Sequence, residues 1–207
     1  RQMCIRDSDS EMMNMEYLYQ FLMNISNALE NTKTHQRQQN IISSLENKYI
    51  HDPMTGLFNR RGFYQRVQPL FEQCAKTNTP FVLVSADLNG LKTINDTYGH
   101  VFGDDVLKHF AYAVKTNIGE NDLIARFGGE EFMILFDTDN IEAVMTVMKR
   151  ISKSYSEFSE KEKGKEFTFS AGVAVYGSSN SITEIFTTAD KRLYKAKAAG
   201  RNKIMIE

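Results

Sequence analysis

Three stretches of this chain hold residue types suited to cations and phosphates. Asp87 follows the apolar run Pro80 to Ala86 and precedes Leu88-Asn89-Gly90, so an acid stands where a buried strand would open into a glycine turn. Such strand ends often carry ligands in α/β sheets, and a carboxylate there can hold a hard cation. The adjacent Leu88 carbonyl can do the same if it is freed from sheet pairing. The pattern is equally ordinary turn chemistry, which Asp favours by itself. Glu130 and Glu131 directly follow Gly128-Gly129. Strand alternation would point them to opposite faces, but the glycines permit close approach, so both can reach one ligand at a hairpin tip. Adjacent carboxylates repel unless a cation or proton relieves them; otherwise the pair is a solvated turn. Lys197 and Arg201 bracket Ala198-Ala199-Gly200. Cations there complement a helix dipole, or they neutralise a polyphosphate, with Arg201 offering a planar fork. Asn95 and Asp104 flank Tyr98-Gly99-His100. A carboxylate can accept from the ring N–H and exocyclic amine of guanine, and an amide can pair with the remaining edge.

Hydrophobic periodicity supplies the elements that would position these groups. From Glu11 to about Asn47 there is neither Pro nor Gly, and Leu18, Phe21, Leu22, Ile25 and Leu29 mark an amphipathic helix. The stripe fades through residues 31 to 40 and resumes at Ile41, Ile42, Leu45 and Tyr49. It is shorter than the seam of a sustained coiled coil, so it reads as a stalk that pairs with a second copy or as a helix packed on its own domain. His51-Asp52-Pro53 ends it. Asn59 is a candidate N-cap for a helix carrying Phe63, Val67, Leu70, Phe71 and Cys74. Pro80 to Ala86 is a buried strand, and Leu107, Phe110, Ala111, Val114 and Ile118 share one helix face. Asp122 to Phe127 and Glu130 to Phe136 form a hairpin about Gly128-Gly129. A helix from Ile141 to Phe158, a charged loop at Lys161 to Lys165, a strand at Phe167 to Val175, a helix at Ile182 to Ala199 and a strand at Lys203 to Ile206 complete the chain. The expected fold is an α/β (α+β) sandwich, a mixed central sheet flanked by helices and preceded by a helical stalk.

Composition narrows the function classes. Lys and Arg number 25 and Asp and Glu 26, so the formal charge of −1 lacks the cation excess of sequence-independent nucleic-acid binders. No apolar run approaches the roughly 18 residues of a membrane span, and the expected location is cytoplasmic. Cys4 and Cys74 have neither metal-ligand nor redox-pair spacing. The opening RQMCIRDS lacks an apolar core and looks like translated adapter sequence. The expected division is a non-native or disordered tail at 1–10, a stalk at 11–50 and a catalytic domain at 51–207.

Four motifs occur in series: DPMTGLFNRRGF (Asp52 to Phe63), DLNGLKTINDTYGHVFGDDVL (Asp87 to Leu107), RFGGEEF (Arg126 to Phe132) and YKAKAAGRN (Tyr194 to Asn202). Together they resemble the GGDEF family of diguanylate cyclases, in a GGEEF variant. The resemblance implies the family's fold, related to nucleotide cyclases and polymerase palm domains, and the conversion of two GTP into cyclic di-GMP and two pyrophosphates. It implies that Asp87, the Leu88 carbonyl, Glu130 and Glu131 ligate two Mg²⁺, with Mn²⁺ an alternative, and that Glu130 also accepts a proton. Gly128 and Gly129 would pass close to the phosphates, Gly90-Leu91 would cradle them, and Lys197 and Arg201 would hold the triphosphate. Asn95 and Asp104 would read guanine, with His100 nearby. A homodimer would be required, controlled by an upstream sensor through the stalk; the alternative is an inactive module that binds GTP or cyclic di-GMP. Two departures from the family pattern bear on this. Asn89 replaces an acid, and Gly119 stands where the Arg-x-x-Asp product-inhibition motif ending at Asp122 has its arginine.

Overall fold

β2 (Phe81–Leu88) is the axis of the sheet in the computed structural model, which describes residues 2–77, 79–161, 167–177 and 181–207. All eight β2 residues are buried, as expected of a strand covered on both faces. Its neighbours are β4 (Glu131–Phe136) and β5 (Phe169–Tyr176), both antiparallel to it. β3 (Leu123–Gly128) pairs antiparallel with β4, while β1 (Phe58–Asn59) and β6 (Ile204–Met205) add parallel edges. The order is β1-β3-β4-β2-β5-β6. The mixed sheet flanked by helices is the architecture expected from the sequence.

Alternation along β2 divides the core. Val82, Val84, Ala86 and Leu88 face α4 (His100–Lys115) and α5 (Ile141–Lys161), where Phe110 meets the rings of Phe132, Tyr155 and Phe169 at 4.8, 5.2 and 5.0 Å. Phe81 and Leu83 face α2 (Arg60–Thr77) and α6 (Ile182–Ala198), where Phe71, Phe81 and Tyr176 cluster. Burying each such ring contributes up to about 3 kcal/mol. Ser85 and Asp87 continue this second face toward the site.

Two elements differ from the periodicity reading. The segment after β2 forms two helices, α3 (Leu91–Tyr98) and α4, because Gly99 breaks the path with φ 85°. β1 has only two residues, too few for alternation to reveal. The loop expected at Lys161 to Lys165 falls outside the described residues except for Lys161, the last residue of α5.

The chain divides into two units, Arg1–Asn47 and Lys48–Glu207. The first is helical, part of α1 (Gln2–Ile50), so helix takes in positions 2–10 as well. Leu18, Phe21, Leu22, Ile25 and Leu29 all stand exposed on it. Within the second unit, Asn59 holds the end of α1. Its Nδ2 donates to the Tyr49 and His51 carbonyls at 2.9 and 3.3 Å, and its Oδ1 accepts from the Gly62 N–H at 2.9 Å, the expected N-cap of α2. Among the described residues, no helix is long and apolar enough to cross a membrane.

Candidate active site

Asp87 and Glu131 sit directly opposite each other on β2 and β4, on the face toward α6. Asp87 is only 4% exposed, and its Oδ2 lies 2.8 Å from Lys197 Nζ. Helix and strand periodicity produce this pairing. Asp190 and Lys197 are two turns apart on α6 and share a face, as Ser85 and Asp87 do on β2. Ser85 Oγ donates to Asp190 Oδ1 at 2.8 Å, which anchors the lower turn, and Lys197 then falls beside Asp87. A capping box starts α6: Ser181 N–H donates to Glu184 and Glu184 N–H to Ser181 Oγ.

The hairpin brings the other two carboxylates. A bulge interrupts pairing between Arg126 and Gly128, and Gly128 and Gly129 have φ of 155° and 46°. Glu130 occupies the turn, and its carbonyl accepts from Leu88 N–H at 3.1 Å, tying hairpin tip to strand end. Leu88 remains in β2, opposite Phe169. The Glu130 carboxyl is held above its ordinary value, first by burial, then by the charge of Asp87 and, more weakly, of Glu131. Lys197 and Arg201 partly offset the effect. Arg201 and Asn202 both take left-handed angles, φ 59° and 47°, after Gly200; such backbone is costly outside glycine and is typical of functional turns.

Residues on α3 and α4 complete the constellation. Gly90, at φ 74°, precedes α3 and offers no side chain to cap it, so the first N–H groups, from Leu91 on, remain available to an anion. Asn95 lies on α3, and its Oδ1 is buried without a hydrogen-bond partner. His100 opens α4 and is exposed, while Asp104 is half-buried one turn on. Asn89 turns away from the carboxylates: its amide bonds to Thr168 and Ser170 at the start of β5, and with that amide reversed its oxygen also accepts from Asn202 N–H at 3.2 Å. Asn89 thus buttresses the Arg201 turn.

The donor set fits a divalent cation that arrives with a nucleotide. Asp87, Glu130 and Glu131 outnumber the cations Lys197 and Arg201, and the repulsion of its neighbours adds to the burial that raises Glu130. Among the described residues no three His, Cys, Asp or Glu side chains converge on one ion position. Mg²⁺ commonly takes one or two carboxylates and fills its remaining positions with waters and phosphate oxygens, so a closed cage is unnecessary.

Sequence reasoning missed the support beneath the hairpin. Arg126 donates from Nε and Nη2 to the Gly129 carbonyl at 3.0 and 2.7 Å, and from Nη1 to both Asp52 oxygens at 3.3 Å. Asp52 also accepts from Thr55 N–H and Oγ1 at 2.8 and 2.6 Å. The Asp-Pro-Met-Thr spacing of an Asx turn was the available signal.

Comparison with known proteins agrees with this geometry. The family described as "Diguanylate cyclase, GGDEF domain" matches residues 49–203. Diguanylate cyclase DgcM of Escherichia coli is 36% identical over 168 residues, covering 81% of this chain and 41% of that protein. The chain therefore spans less than half the length of that relative. The structure of the coiled coil and GGDEF domain of DgcB from Caulobacter crescentus, in complex with c-di-GMP, has a TM-score of 0.81 at 25% identity. It covers 87% of this chain and 97% of that one. The active GGEEF domain of a diguanylate cyclase from Vibrio cholerae has a TM-score of 0.67 at 30% identity, covering 72% and 96%. By family match, fold and the order of its motifs, the chain belongs to the GGDEF domain family of diguanylate cyclases.

Proposed function

We propose that this domain condenses two GTP molecules into cyclic di-GMP, releasing two pyrophosphates, across a homodimer. The observation that carries the reading is the charge cluster at the β2 end: Asp87, buried and paired with Lys197, lies opposite Glu131, and burial together with the Asp87 charge raises the proton affinity of Glu130 across the hairpin. Lys197 and Arg201 bind the triphosphate, and the N–H groups after Gly90 cradle it at the start of α3. Asp104 accepts from the Watson–Crick donors of guanine, the Asn95 amide takes the adjacent edge, and His100 flanks the nucleotide. Asp87, the Leu88 carbonyl, Glu130 and Glu131 would hold Mg²⁺ or Mn²⁺, two ions per site. When bound, the metal lowers the pKa of the attacking hydroxyl and offsets charge on the phosphates.

Each ribose 3′-oxygen bonds to the α-phosphorus of the other GTP, the bond from that phosphorus to the β-phosphate oxygen breaks, and pyrophosphate leaves. Glu130 accepts the hydroxyl proton, a role suited to a carboxyl held above its ordinary value. One domain binds one GTP, so two copies must face each other with two-fold symmetry. The exposed apolar positions of α1 supply a surface for pairing two copies, and an upstream sensor acting through that helix sets their alignment. The domain works in the cytoplasm, where GTP is supplied. The test is turnover of GTP with Mg²⁺ over a range of protein concentrations, with the product identified by mass. Cyclic di-GMP formed at a rate steeper than linear in protein is expected; GTP binding without any product, even when dimerisation is forced, refutes the reading.

A further inference from the structure

Helices α3 and α4 approach each other more closely at Gly103 than any side chain there would allow. A Cβ built on Gly103 would lie 1.7 Å from Asn95 Oδ1 and 2.9 Å from Asn95 Cγ. Gly103 is not among the glycines with positive φ, so its backbone does not require glycine, and alanine would be the better helix former. What glycine contributes here is space, and the Asn95 amide fills it. That arrangement carries a cost, because Asn95 Oδ1 is buried with no partner, and an unpaired buried acceptor is destabilising. A helix that omits a side chain at this cost, so that the amide oxygen packs against its backbone one residue before Asp104, fixes where the Asn95 amide sits.

The geometry points to Gly103 as a specificity-determining positioning residue: the room it leaves holds the Asn95 amide against α4, next to Asp104, where it meets the edge of the base. The inference rests on the reading of this site as a GTP site. Gly103→Ala separates positioning from folding, because the atom displaced is the end of the Asn95 side chain and no backbone lies in the way.

The experiment measures GTP affinity with Mg²⁺ for the wild type, Gly103→Ala, Asn95→Ala and the double variant, together with thermal midpoints and the side-chain amide resonances of Asn95 without nucleotide. Gly103→Ala should weaken GTP binding about tenfold or more, the loss expected when a buried hydrogen bond to a ligand is broken, with an unchanged or higher midpoint and displaced Asn95 resonances. In the double variant the alanine at 103 should add less than about twofold to the effect of Asn95→Ala, since the two residues act as one unit. Unshifted Asn95 resonances, GTP affinity within about twofold of wild type for Gly103→Ala, or multiplicative effects in the double variant would each overturn the inference. A wild-type domain that binds no GTP overturns the functional reading and the base-reading role with it, while the resonances still report whether Gly103 places the amide.

Discussion

Replacing Arg126 with alanine should destabilise the domain by about 3 kcal/mol, the low end of what breaking a buried ion pair costs. Arg126 and Asp52 are 10% and 18% exposed, so water replaces their contact poorly. Two features hold the loss at that low end. Asp52 keeps its two bonds from Thr55, and the Gly129 carbonyl, on an exposed residue, can bond to water instead. For a domain of this size, about 3 kcal/mol lowers the thermal midpoint by about 6–12 °C. Turnover should fall further than stability alone implies, because Gly129 directly precedes Glu130 and its carbonyl is what the guanidinium fixes. Denaturant unfolding of Arg126→Ala, Asp52→Asn and the double variant provides the assay. The paired residues should show a coupling energy above about 1 kcal/mol, within the range for residues in one network; additive losses would refute the strut. The pH dependence has a definite sign. Burial acts to raise the Asp52 carboxyl, but the Thr55 bonds and the Arg126 charge outweigh it and hold the group below its ordinary value. A depressed carboxyl contributes stability above its unfolded value of about 3.9 and loses it as pH falls through the folded value. The gap between wild type and Asp52→Asn should therefore be widest at neutral pH and close as the solution is acidified below about pH 4.

Glu130→Gln should lower kcat by about 10²–10⁴-fold, the usual contribution of a positioned base, while GTP binding changes far less; equal losses in both would argue against proton transfer by this group. Because the folded Glu130 carboxyl is raised, its contribution is complete below the unfolded value and declines as pH rises through the folded one. Without metal, the Gln variant should thus gain on wild type as pH rises above the unfolded value of about 4.3, as read by thermal midpoints. Gly172→Ala would set a Cβ 2.1 Å from the Ala189 carbonyl and 2.2 Å from Leu193 N, both backbone atoms. It should cost on the order of 3 kcal/mol and shift α6 with Lys197; denaturation showing no loss would contradict the packing. Cyclic di-GMP should inhibit weakly through the Gly119–Asp122 turn. Asp122 already spends its oxygens on the N–H groups of Gly119 and Asp137, at 2.7 and 2.9 Å. Tight noncompetitive inhibition would refute this.

Residues proposed to contact a ligand were readable from sequence because their chemistry is carried by type and local spacing. Asp87, Glu130, Glu131, Lys197 and Arg201 each announce a charge at a strand end, a hairpin tip or a helix end, and the fold brings them to one place. The supporting contacts were less readable because they depend on pairs distant in sequence: Ser85 with Asp190, Arg126 with Asp52. Gly103 and Gly172 illustrate a third case. An isolated glycine inside a helix or strand pattern signals close approach, but the partner that approaches is visible only in three dimensions. The same holds for β1, whose two residues are specified by pairing with β3.

Lys197 links stability to function in a way neither role alone would suggest. A carboxylate as buried as Asp87 is tolerable without a ligand only because an ammonium lies 2.8 Å away. The same ammonium is proposed to hold the triphosphate, and the same carboxylate to hold a cation. On that proposal, binding of a metal nucleotide would exchange partners: Lys197 would leave the carboxylate for phosphate oxygens, and Asp87 would be free to hold the cation. The buried Asp87 charge would stay compensated before and after, so the site would avoid the full cost of an unpaired ion in a low-dielectric setting. Removing Lys197 breaks both halves of the exchange at once. Loss of activity in such a variant must for that reason be weighed against the stability lost when Asp87 is left alone.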